Sequence, residues 1–314
     1  MKDTVFSLVN NYSKQILSST FAISAFSVTF MISILKNYPL KIYAILVNHL
    51  FIYSSYLKGI FEPKITRSIL FSDKEWWDQL LKRGPFARHF QMSFLEFKKS
   101  NFSDYDFIVP LTIPDLEICM ERRNEMVQNL IPVPSVESFN ICNDKRLFND
   151  FMLSHSFSKY VPGELVAEQF PFMLKKIMDE GGENTFVIEN MRDLEQYREQ
   201  YDSLEYFTQN IITGKREYAT HIVMRNGKIV NALNIVYIFK KDCYVKGKDN
   251  YICRFVCKNK HLNIFEKVLS EMQYEGLCCV NYKEQNGVPK MIEINPRFGG
   301  SLCEFFFPFI RKLA

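Results

Sequence analysis

The sequence predicts a protein of mixed architecture, with a parallel α/β lobe first and an α+β lobe rich in antiparallel strands after it. Helix-like and strand-like segments alternate through the first 115 residues, which is typical of a parallel sheet with helices on both faces. The segment "IPVPS", residues 131 to 135, then interrupts a helical pattern and indicates a boundary. Short strand-like segments dominate beyond residue 170, as in antiparallel sheets with helices on one side.

Five elements are predicted in the first lobe. Asp73 is the expected N-cap of the second of its helices, with Glu75 in the first turn. No GxGxxG loop follows the first strand, so a dinucleotide-binding lobe has no support. The predicted elements are strands in "KQILSS", "KIYAILV" and "YDFIVPL", a helix over residues 20 to 36 and a helix over residues 73 to 83.

Helices and then strands are predicted in the rest of the chain. Residues 114 to 130 and 260 to 275 have helical periodicity, and residues 143 to 155 form a helix that Asn143 or Asp144 caps. Asn226-Gly227 is the expected tip of a hairpin. The strand segments are "PFMLKKI", "TFVIE", "YFTQNI", "EYATHIVMRNGKIVNALNIVYIF", "YICRFVC", "LCCVNYK" and "PKMIEIN".

The composition is that of an ordinary globular protein. The 314 residues are 47% hydrophobic and 24% charged, which is enough apolar material for a packed core. The net charge of +4 is too small and too scattered along the chain to indicate a nucleic-acid partner. The eight cysteines form no CxxC pair, so reduced thiols are expected.

Residues 16 to 35 leave two interpretations open. The segment has no charged residue over about the length that a bilayer requires, which fits a membrane span. Its five serines and two threonines, and the apolar segments on both sides of it, fit a helix between two strands equally well. No basic leader or small-residue cleavage site accompanies it, so a signal peptide is not expected.

The strongest chemical pattern is "MIEINPRFGGS", residues 291 to 301. In a strand, residues two apart point the same way, so Glu293 and Asn295 share one face while Ile292 and Ile294 take the other. Two oxygen donors on one face suit a hard divalent cation whose remaining ligands are phosphate oxygens. Taken alone, the pair also fits an edge strand with a solvated glutamate.

The residues that follow the pair make the pattern more specific. Arg297 emerges at the strand end, where its planar guanidinium can hold a phosphoryl group with two hydrogen bonds. Gly299 and Gly300 permit a tight turn and a close approach of the backbone to an anion. The whole string therefore predicts a metal and phosphate site.

This string resembles the C-terminal metal and phosphate motif of the ATP-grasp superfamily, particularly its carbamoyl-phosphate synthase large-subunit-like and amino-acid-ligase-like members. Three further segments resemble motifs of that family, in its order: "NDKRLF" before the lid, "PFMLKK" with a following "GG", and "QNIITGKREY" at the hinge. The resemblance implies a Rossmann-like pre-ATP-grasp domain over residues 1 to 130, a helix and lid subdomain over 131 to 208, and a metal-binding antiparallel subdomain over 209 to 314.

For the metal site, the resemblance implies that Glu293 bridges two magnesium ions and that Asn295 is a ligand of one of them. Asn281 falls where the family has another metal ligand, usually an acid. A two-residue turn at Asn286-Gly287 would set Asn281 on the wrong face of the hairpin, whereas a three-residue loop over 285 to 287 would set it on the face of Glu293. The longer loop is expected.

For the phosphates, the resemblance selects three groups. Lys175 and Lys176 are adjacent in a strand and face opposite ways, and the family pattern assigns Lys175 to the α- and β-phosphates and leaves Lys176 to solvent. Lys145 corresponds to the first basic phosphate contact, with an exposed helix lysine as the alternative. Gly181 and Gly182 would let a mobile loop place backbone N–H groups on the β- and γ-phosphates.

At the hinge, the resemblance implies the adenosine contacts. The backbone around Ile211 and Ile212 would bind the adenine edge, and their side chains would pack on its faces. Glu217 would contact the ribose or the metal side. Gln209 begins the motif, and Asn210 takes the usual position of a glutamate that binds the ribose hydroxyls.

Several residues depart from the family pattern. Asp179, Glu180 and Glu183 in the glycine loop would repel a triphosphate, so they either face outward or the loop closes poorly. Asn210 and Asn281 each replace an acid that is common in the family. These departures favour an alternative, a degenerate ATP-grasp protein that binds nucleotide without ligase turnover.

The function that the resemblance implies is an ATP-dependent, ADP-forming carboxylate–amine ligase that uses Mg²⁺ or Mn²⁺ and activates a carboxylate as an acyl phosphate. Lys175 and Arg297 are predicted to stabilise the transferring phosphoryl group. His221 lies in an alternating strand and is expected to be a packed or surface histidine. The expected partners are a small-molecule carboxylate and an amine in the cytoplasm, without nucleic acid or membrane, and a homodimer is left open.

Overall fold

A computed structural model of the chain describes residues 38–60, 67–74, 76–163 and 169–313. The strand predicted in "KQILSS" and the helix predicted over residues 20 to 36 lie outside these residues, as does the candidate membrane span. None of the helices in the described part of the chain has both the length and the apolar character needed to cross a bilayer. The chain divides into two compact units, Met1–Tyr43 and Ala44–Ala314, and the sheets described below belong to the second.

The first sheet is parallel, as predicted for the first lobe. Its strands β1 (Arg67–Ser72), β2 (Phe90–Leu95) and β3 (Phe107–Val109) lie in the order β2-β1-β3. The prediction of a strand in "YDFIVPL" is confirmed by β3. No strand is predicted at β1 or β2, because both are only six residues long. In β2 three residues are half-buried and two are exposed, which leaves a weak apolar pattern.

The strand predicted in "KIYAILV" is wrong, because this segment is helical. It lies in helix α1 (Pro39–Ile60), which is 22 residues long. Helix α1 contains no glycine before Gly59, so no turn signal divides it. A continuous segment of this length is far too long for a strand. The length of this segment, rather than its apolar character, therefore indicates a helix.

Two more helices flank the parallel sheet. Helix α2 (Trp77–Lys82) begins after Trp76, whose side chain makes no capping hydrogen bond, so the prediction of Asp73 as N-cap is wrong. Helix α3 (Ile113–Glu121) has Thr112 as its N-cap, with the hydroxyl oxygen accepting from the Asp115 N–H. A separate 3₁₀ turn follows α3, which is why the helical pattern predicted up to residue 130 is shorter in the structure.

The second sheet is a small antiparallel lid, with strands β4 (Phe172–Lys176), β5 (Thr185–Ile188) and β6 (Tyr206–Asn210) in the order β5-β4-β6. Asp144 caps helix α5 by accepting from two backbone N–H groups, as predicted. The helices around the lid are α4 (Val136–Asn143) and α5 (Lys145–Ser154) before it, and α6 (Met191–Gln196) and α7 (Arg198–Tyr201) between β5 and β6.

The third sheet has five antiparallel strands in the order β11-β10-β7-β8-β9. Asn226 and Gly227 form the predicted hairpin tip, with φ values of 53° and 68° that suit a type I′ turn. Helix α8 (Leu262–Glu271) connects β9 to β10. The strands are β7 (Arg216–Arg225), β8 (Lys228–Phe239), β9 (Tyr251–Cys257), β10 (Gly276–Gln285) and β11 (Val288–Asn295).

Both faces of this five-stranded sheet are covered. Along β7, Ala219 and Val223 belong to a core shared with the parallel sheet, whereas Tyr218 and Ile222 belong to a core shared with α8 and α5. Helix α9 (Phe306–Ile310) is buried in the first of these cores. The five-stranded sheet is therefore packed between two cores. The domain limits at residues 130 and 208 stay a prediction.

Candidate functional site

A cleft of about 270 Å³ lies between the lid sheet and the five-stranded sheet. It collects side chains from β4, β6, β7, β10 and β11, which are far apart in the sequence. Every predicted site residue except Lys145 lines it, and the Lys145 Nζ lies 3.7 Å from Glu293 Oε2. The predicted residues that line the cleft are Lys175, Gly181, Gly182, Gln209, Asn210, Ile211, Ile212, Glu217, Asn281, Glu293, Asn295 and Arg297.

The hairpin β10-β11 brings Asn281 to Glu293 by a route that differs from the predicted one. Its turn has two residues, Asn286 and Gly287, with φ values of 53° and 77°, so the expected three-residue loop is wrong. A bulge in β11 inserts Ile292, because Tyr282 pairs with Met291 while Asn281 pairs with Glu293. The extra residue returns Asn281 to the face of Glu293 in spite of the short turn.

The bulge also changes the position of Ile292. The sequence predicts that Ile292 and Ile294 share the buried face, but only Ile294 is in the core, and Ile292 lines the cleft. Its backbone carbonyl accepts a hydrogen bond from the Lys175 Nζ at 3.4 Å. The bulge thus turns a backbone acceptor toward the lid sheet.

The Glu293 carboxylate is the centre of the site. Its Oε1 accepts hydrogen bonds from Asn281 Nδ2 at 2.8 Å and from Asn295 Nδ2 at 3.0 Å. Burial raises the pKa of Glu293, but the positive charges of Lys145 and Lys175 outweigh this effect and lower it to about 2. The carboxylate is therefore ionised at any physiological pH.

Lys175 points into the cleft, and its neighbour Lys176 points away from it. Lys175 is only 3% exposed, and its Nζ donates to Gln209 Oε1 at 3.3 Å as well as to the Ile292 carbonyl. Burial lowers the pKa of Lys175 to about 8, although Glu293 opposes the shift. Lys176 forms a partly exposed ion pair with Glu205 at 3.1 Å.

Lys145 is the first residue of α5 and is 5% exposed, so it is not an exposed helix lysine. Its Nζ donates to the carbonyl of Asp179 at 3.0 Å and lies 3.7 Å from Glu293 Oε2. Burial removes hydrating water from the lysine ammonium, which is unfavourable. The hydrogen bond to the Asp179 carbonyl and the attraction to the Glu293 carboxylate offset part of this cost.

The acidic glycine loop between β4 and β5 lies over the cleft. The Asp179 carboxylate accepts from the backbone N–H and the side-chain amide of Asn184, at 2.9 and 3.0 Å, so it is bound within the loop. Glu180 forms an ion pair with Arg297, with 2.7 Å between Oε2 and Nη2. The loop acid therefore lies on the arginine that is predicted to hold a phosphoryl group.

A second loop, residues 240 to 250 between β8 and β9, meets the glycine loop backbone to backbone. Gly247 has a φ of +105°, and a Cβ atom built on it would lie 1.8 Å from the Gly181 carbonyl oxygen. The Lys248 Nζ donates to the Thr185 carbonyl at 2.8 Å. These contacts hold the lid sheet against the five-stranded sheet.

The hinge residues also line the cleft. Gln209 is buried and its Nε2 donates to Asn149 Oδ1 at 3.4 Å. Ile212 is buried, Ile211 is half-buried and Asn210 is exposed. The buried Glu217 has its pKa raised by burial, and it points toward the same cleft.

Sequence reasoning misses Lys246, which has no motif around it and is brought to the site only by the fold. Its Nζ donates to Asn281 Oδ1 at 2.8 Å and lies 3.5 Å from Glu217 Oε1. Burial lowers the pKa of Lys246, but the charge of Glu217 outweighs this effect and raises it. Lys246 is therefore a cation held between two predicted site residues.

His221 is packed, in agreement with its sequence interpretation. It is fully buried, its Nε2 lies 2.7 Å from the Ser301 hydroxyl, and burial lowers its pKa to about 3. A Cβ atom on Gly299 would lie 2.8 Å from the His221 ring. His221 is thus a neutral support beneath the glycine pair of the motif.

The residues of the cleft fit a polyphosphate and a divalent cation. Carboxylate and amide oxygens are ligands that Mg²⁺ accepts, and the two asparagine amides already lie within hydrogen-bond distance of the Glu293 carboxylate. In the described ranges no group of three or more His, Cys, Asp and Glu side chains could hold a metal. Phosphate oxygens would therefore have to supply most of the ligands.

Comparison with known proteins identifies the family of this cleft. The family model of the ATP-grasp domain matches residues 142–301, a range that includes every predicted site residue. No curated protein sequence matches significantly. The expected ATP-grasp fold is confirmed by this match and by solved structures of similar fold.

Three solved structures illustrate the similarity in fold. Phosphoribosylamine–glycine ligase from Thermotoga maritima has 13% identity, with 76% of this chain and 70% of that chain covered and a TM-score of 0.56. L-amino acid ligase from Bacillus licheniformis has 12% identity, coverage of 77% and 69% and a TM-score of 0.52. D-alanine–D-alanine ligase from Bacillus anthracis has 11% identity, coverage of 79% and 97% and a TM-score of 0.52.

Proposed function

The chain belongs to the ATP-grasp family, and on that premise we propose that it is an ATP- and Mg²⁺-dependent, ADP-forming ligase that joins a carboxylate to an amine or similar nucleophile. The observation that carries the proposal is the burial of Lys145 and Lys175 beside the one carboxylate of Glu293. Two buried ammonium groups against one carboxylate leave an excess of positive charge, which is costly in a protein interior. The phosphates of a nucleotide would neutralise that excess.

The proposed reaction has two steps. A carboxylate oxygen of the substrate attacks the γ-phosphorus of ATP, the bond to the β–γ bridging oxygen breaks, and ADP leaves an acyl phosphate behind. The amine then attacks the acyl carbon, phosphate leaves, and the amine loses a proton. Phosphoryl transfer of this kind needs positioning and charge neutralisation more than a protein nucleophile.

Each charged residue of the cleft has a proposed role in the first step. Lys145 and Lys175 would bind the α- and β-phosphates, and Arg297 would bind the transferring phosphoryl group with its fork of N–H donors. The backbone N–H groups of Gly181 and Gly182 would bind the β- and γ-phosphates. Together these donors would fix the γ-phosphorus in line with the attacking oxygen.

The adenosine would lie against the hinge residues of the cleft. The backbone of Ile211 would contact the adenine edge, and the side chains of Ile211 and Ile212 would pack against the ring. Asn210 would bind the ribose hydroxyls as a neutral amide, and Glu217 would contact the ribose or the metal side. The half-buried and buried isoleucines support this placement because adenine needs an apolar surface.

Glu293 and Asn295 would hold a divalent cation, and Asn281 is the third predicted ligand. When bound, Mg²⁺ or Mn²⁺ would neutralise charge on the β- and γ-phosphates. The chain's own contribution is to keep Glu293 ionised and to orient its carboxylate by the two amide hydrogen bonds. Small-molecule substrates, a similarity to carbamoyl-phosphate synthase, a cytoplasmic location and a homodimer stay predictions.

The test of the proposed function is Mg²⁺-dependent release of ADP by the purified chain with pools of carboxylates and amines. ADP release that requires both a carboxylate and Mg²⁺ would support the ligase. The ion pair of Glu180 with Arg297 favours the alternative, a nucleotide-binding protein without turnover, because it blocks the proposed phosphoryl contact. Nucleotide binding without ADP release from any pool would establish that alternative.

Glu180→Gln should strengthen the binding of a non-hydrolysable ATP analogue about two- to fivefold. The substitution removes the anion that competes with phosphate for Arg297, and a partly exposed ion pair of this kind is worth about 0.2–1 kcal/mol. Isothermal titration calorimetry measures the change. Glu183→Gln makes the same charge change at an exposed position of the same loop, and an equal gain in both variants would contradict a specific role of the ion pair.

Nucleotide affinity should fall as the pH rises through about 8, by up to about tenfold per pH unit. Lys175 loses its proton in this range, and the neutral amine cannot attract phosphate. The stability of the free protein should instead rise with pH in this range. Between pH of about 8 and the ordinary lysine pKa of 10.5, the unfolded chain binds more protons than the folded chain, so raising the pH increases the free energy of unfolding. ADP titrations at several pH values test this, and an affinity that stays constant up to pH of about 9.5 would contradict it.

A further inference from the structure

The loop between β8 and β9 places an ammonium group at the predicted metal site. The Lys246 Nζ donates to Asn281 Oδ1 at 2.8 Å, lies 3.5 Å from Glu217 Oε1 and lies 4.7 Å from the centre of the Tyr237 ring. Its side chain is about three-quarters buried. A carboxylate, an amide oxygen and a π face are all groups that bind cations.

The orientation of the Asn281 amide follows from its two partners. Its Nδ2 donates to the Glu293 carboxylate at 2.8 Å, and its Oδ1 accepts from Lys246. The reverse orientation would place an N–H₂ group against an ammonium and an oxygen against a carboxylate, and both contacts would be repulsive. The amide oxygen that a metal ion would need is therefore directed at Lys246.

The loop that carries Lys246 is held by its own contacts. The Val245 N–H donates to the Asp249 carboxylate at 2.9 Å, and Tyr244 stacks on Phe239 with 3.7 Å between ring centres. Gly247 provides the left-handed turn that follows the lysine. Lys246 is thus presented to the cleft by a formed loop rather than by a long side chain on an open surface.

The charges of the cleft leave little room for two divalent ions. Its described carboxylates are Glu217 and Glu293 together with Glu180 of the loop, whereas its cations are Lys145, Lys175, Lys246, Lys283 and Arg297. Two divalent ions would add four more positive charges. One divalent ion with the nucleotide phosphates matches these residues better.

Building on the proposed function, we infer that the Lys246 ammonium takes the place of one of the two divalent cations, so that the nucleotide is bound by Lys246 and a single divalent ion at Glu293 and Asn295. Asn281 then orients Lys246 and Glu293 instead of binding a metal. A lysine ammonium is a compact point charge, and it can contact the same phosphate oxygens that a second cation would contact.

The test counts the metal ions in the nucleotide complex of the purified chain. Equilibrium dialysis with Mn²⁺ and a saturating non-hydrolysable ATP analogue should give one Mn²⁺ per chain. Lys246→Met should weaken binding of the analogue about 10- to 100-fold, the loss expected for one charge-assisted contact to phosphate. Lys246→Arg keeps the charge and should retain one Mn²⁺.

A double variant makes the test independent of simple loss of binding. The double variant Lys246→Met, Asn281→Asp removes the ammonium and adds a carboxylate beside its former position. It should bind two Mn²⁺ ions per chain and regain analogue affinity at saturating Mn²⁺. Lys241→Met is the matched control, because Lys241 lies on the same loop with its side chain 71% exposed. It should match the unsubstituted chain in both stoichiometry and affinity.

The outcomes separate this inference from the proposed function. Two Mn²⁺ ions in the complex of the unsubstituted chain, or unchanged analogue affinity in Lys246→Met, would overturn the role of Lys246 and leave the nucleotide site intact. Failure of the unsubstituted chain to bind the analogue at any Mn²⁺ concentration would overturn the nucleotide site itself, and this inference with it.

Discussion

Lys175→Met should weaken ATP-analogue binding about 100-fold while leaving the fold at least as stable as before. The binding loss follows from removing a charge-assisted hydrogen bond to phosphate, worth about 1.5–3 kcal/mol. The fold gains because burial makes the lysine ammonium unfavourable by roughly 3 kcal/mol, the equivalent of its pKa shift from 10.5 to about 8. Methionine fills a similar volume without a charge. Calorimetric titration and urea denaturation measure the two effects.

Lys176→Met is a matched control at the next position of the same strand. Lys176 faces away from the cleft and pairs with Glu205 at the surface, so its loss should change analogue affinity less than about twofold, as is usual for surface pairs. Equal losses in the two variants would show that the charge of β4, rather than the buried ammonium of Lys175, determines affinity.

Gly247→Ala should lower the free energy of unfolding by about 2–4 kcal/mol and weaken ATP-analogue binding at least about tenfold. The new Cβ atom would lie 1.8 Å from the Gly181 carbonyl oxygen. The substitution would also force a residue with a side chain to adopt a φ of +105°. A backbone oxygen cannot rotate away, so the two loops that cover the cleft must separate. Urea denaturation and analogue titration of the same preparation check both effects.

Gly287→Ala separates strain from collision. Gly287 has a φ of +77°, and no atom lies within 4 Å of a Cβ atom built on it, so only the conformational strain of about 1–2 kcal/mol remains. Its analogue affinity should match that of the unsubstituted chain. If Gly247→Ala binds the analogue equally well, the contact between the two loops does not hold the cleft closed.

The hairpin β10-β11 shows where local sequence suffices and where it does not. The Asn286-Gly287 pair favours a two-residue turn by backbone preference alone, although the face needed for Asn281 led to the wrong prediction of a three-residue loop. The strand pattern places Glu293 beside Asn295. The bulge at Ile292 has no local signal, because its carbonyl is bound by Lys175 from another sheet. The face of Asn281 could therefore not be derived from turn length alone.

Lys246 and β1 illustrate two further limits of prediction from the sequence. Lys246 is one of six lysines from residue 240 to residue 260, and only the approach of its loop to β10 distinguishes it from its neighbours. The strand β1 is short, and the longer apolar run of α1 precedes it, so periodicity favours the wrong segment. By contrast, a strand rule that needs no tertiary information shows that Lys175 and Lys176 cannot both face the cleft, and the resemblance to the family pattern then selects Lys175.

The order of strands in the five-stranded sheet has a consequence for how the chain is made. Strand β7 pairs with β8, which follows it directly, and also with β10, which is synthesised much later. During synthesis, β7 is therefore an open strand edge, and eight of its ten residues are ones that the folded chain buries. An open edge of this kind favours association with other chains. The hairpin that carries Glu293 covers this edge, so the step that completes the candidate cleft is also the step that pairs the exposed side of β7.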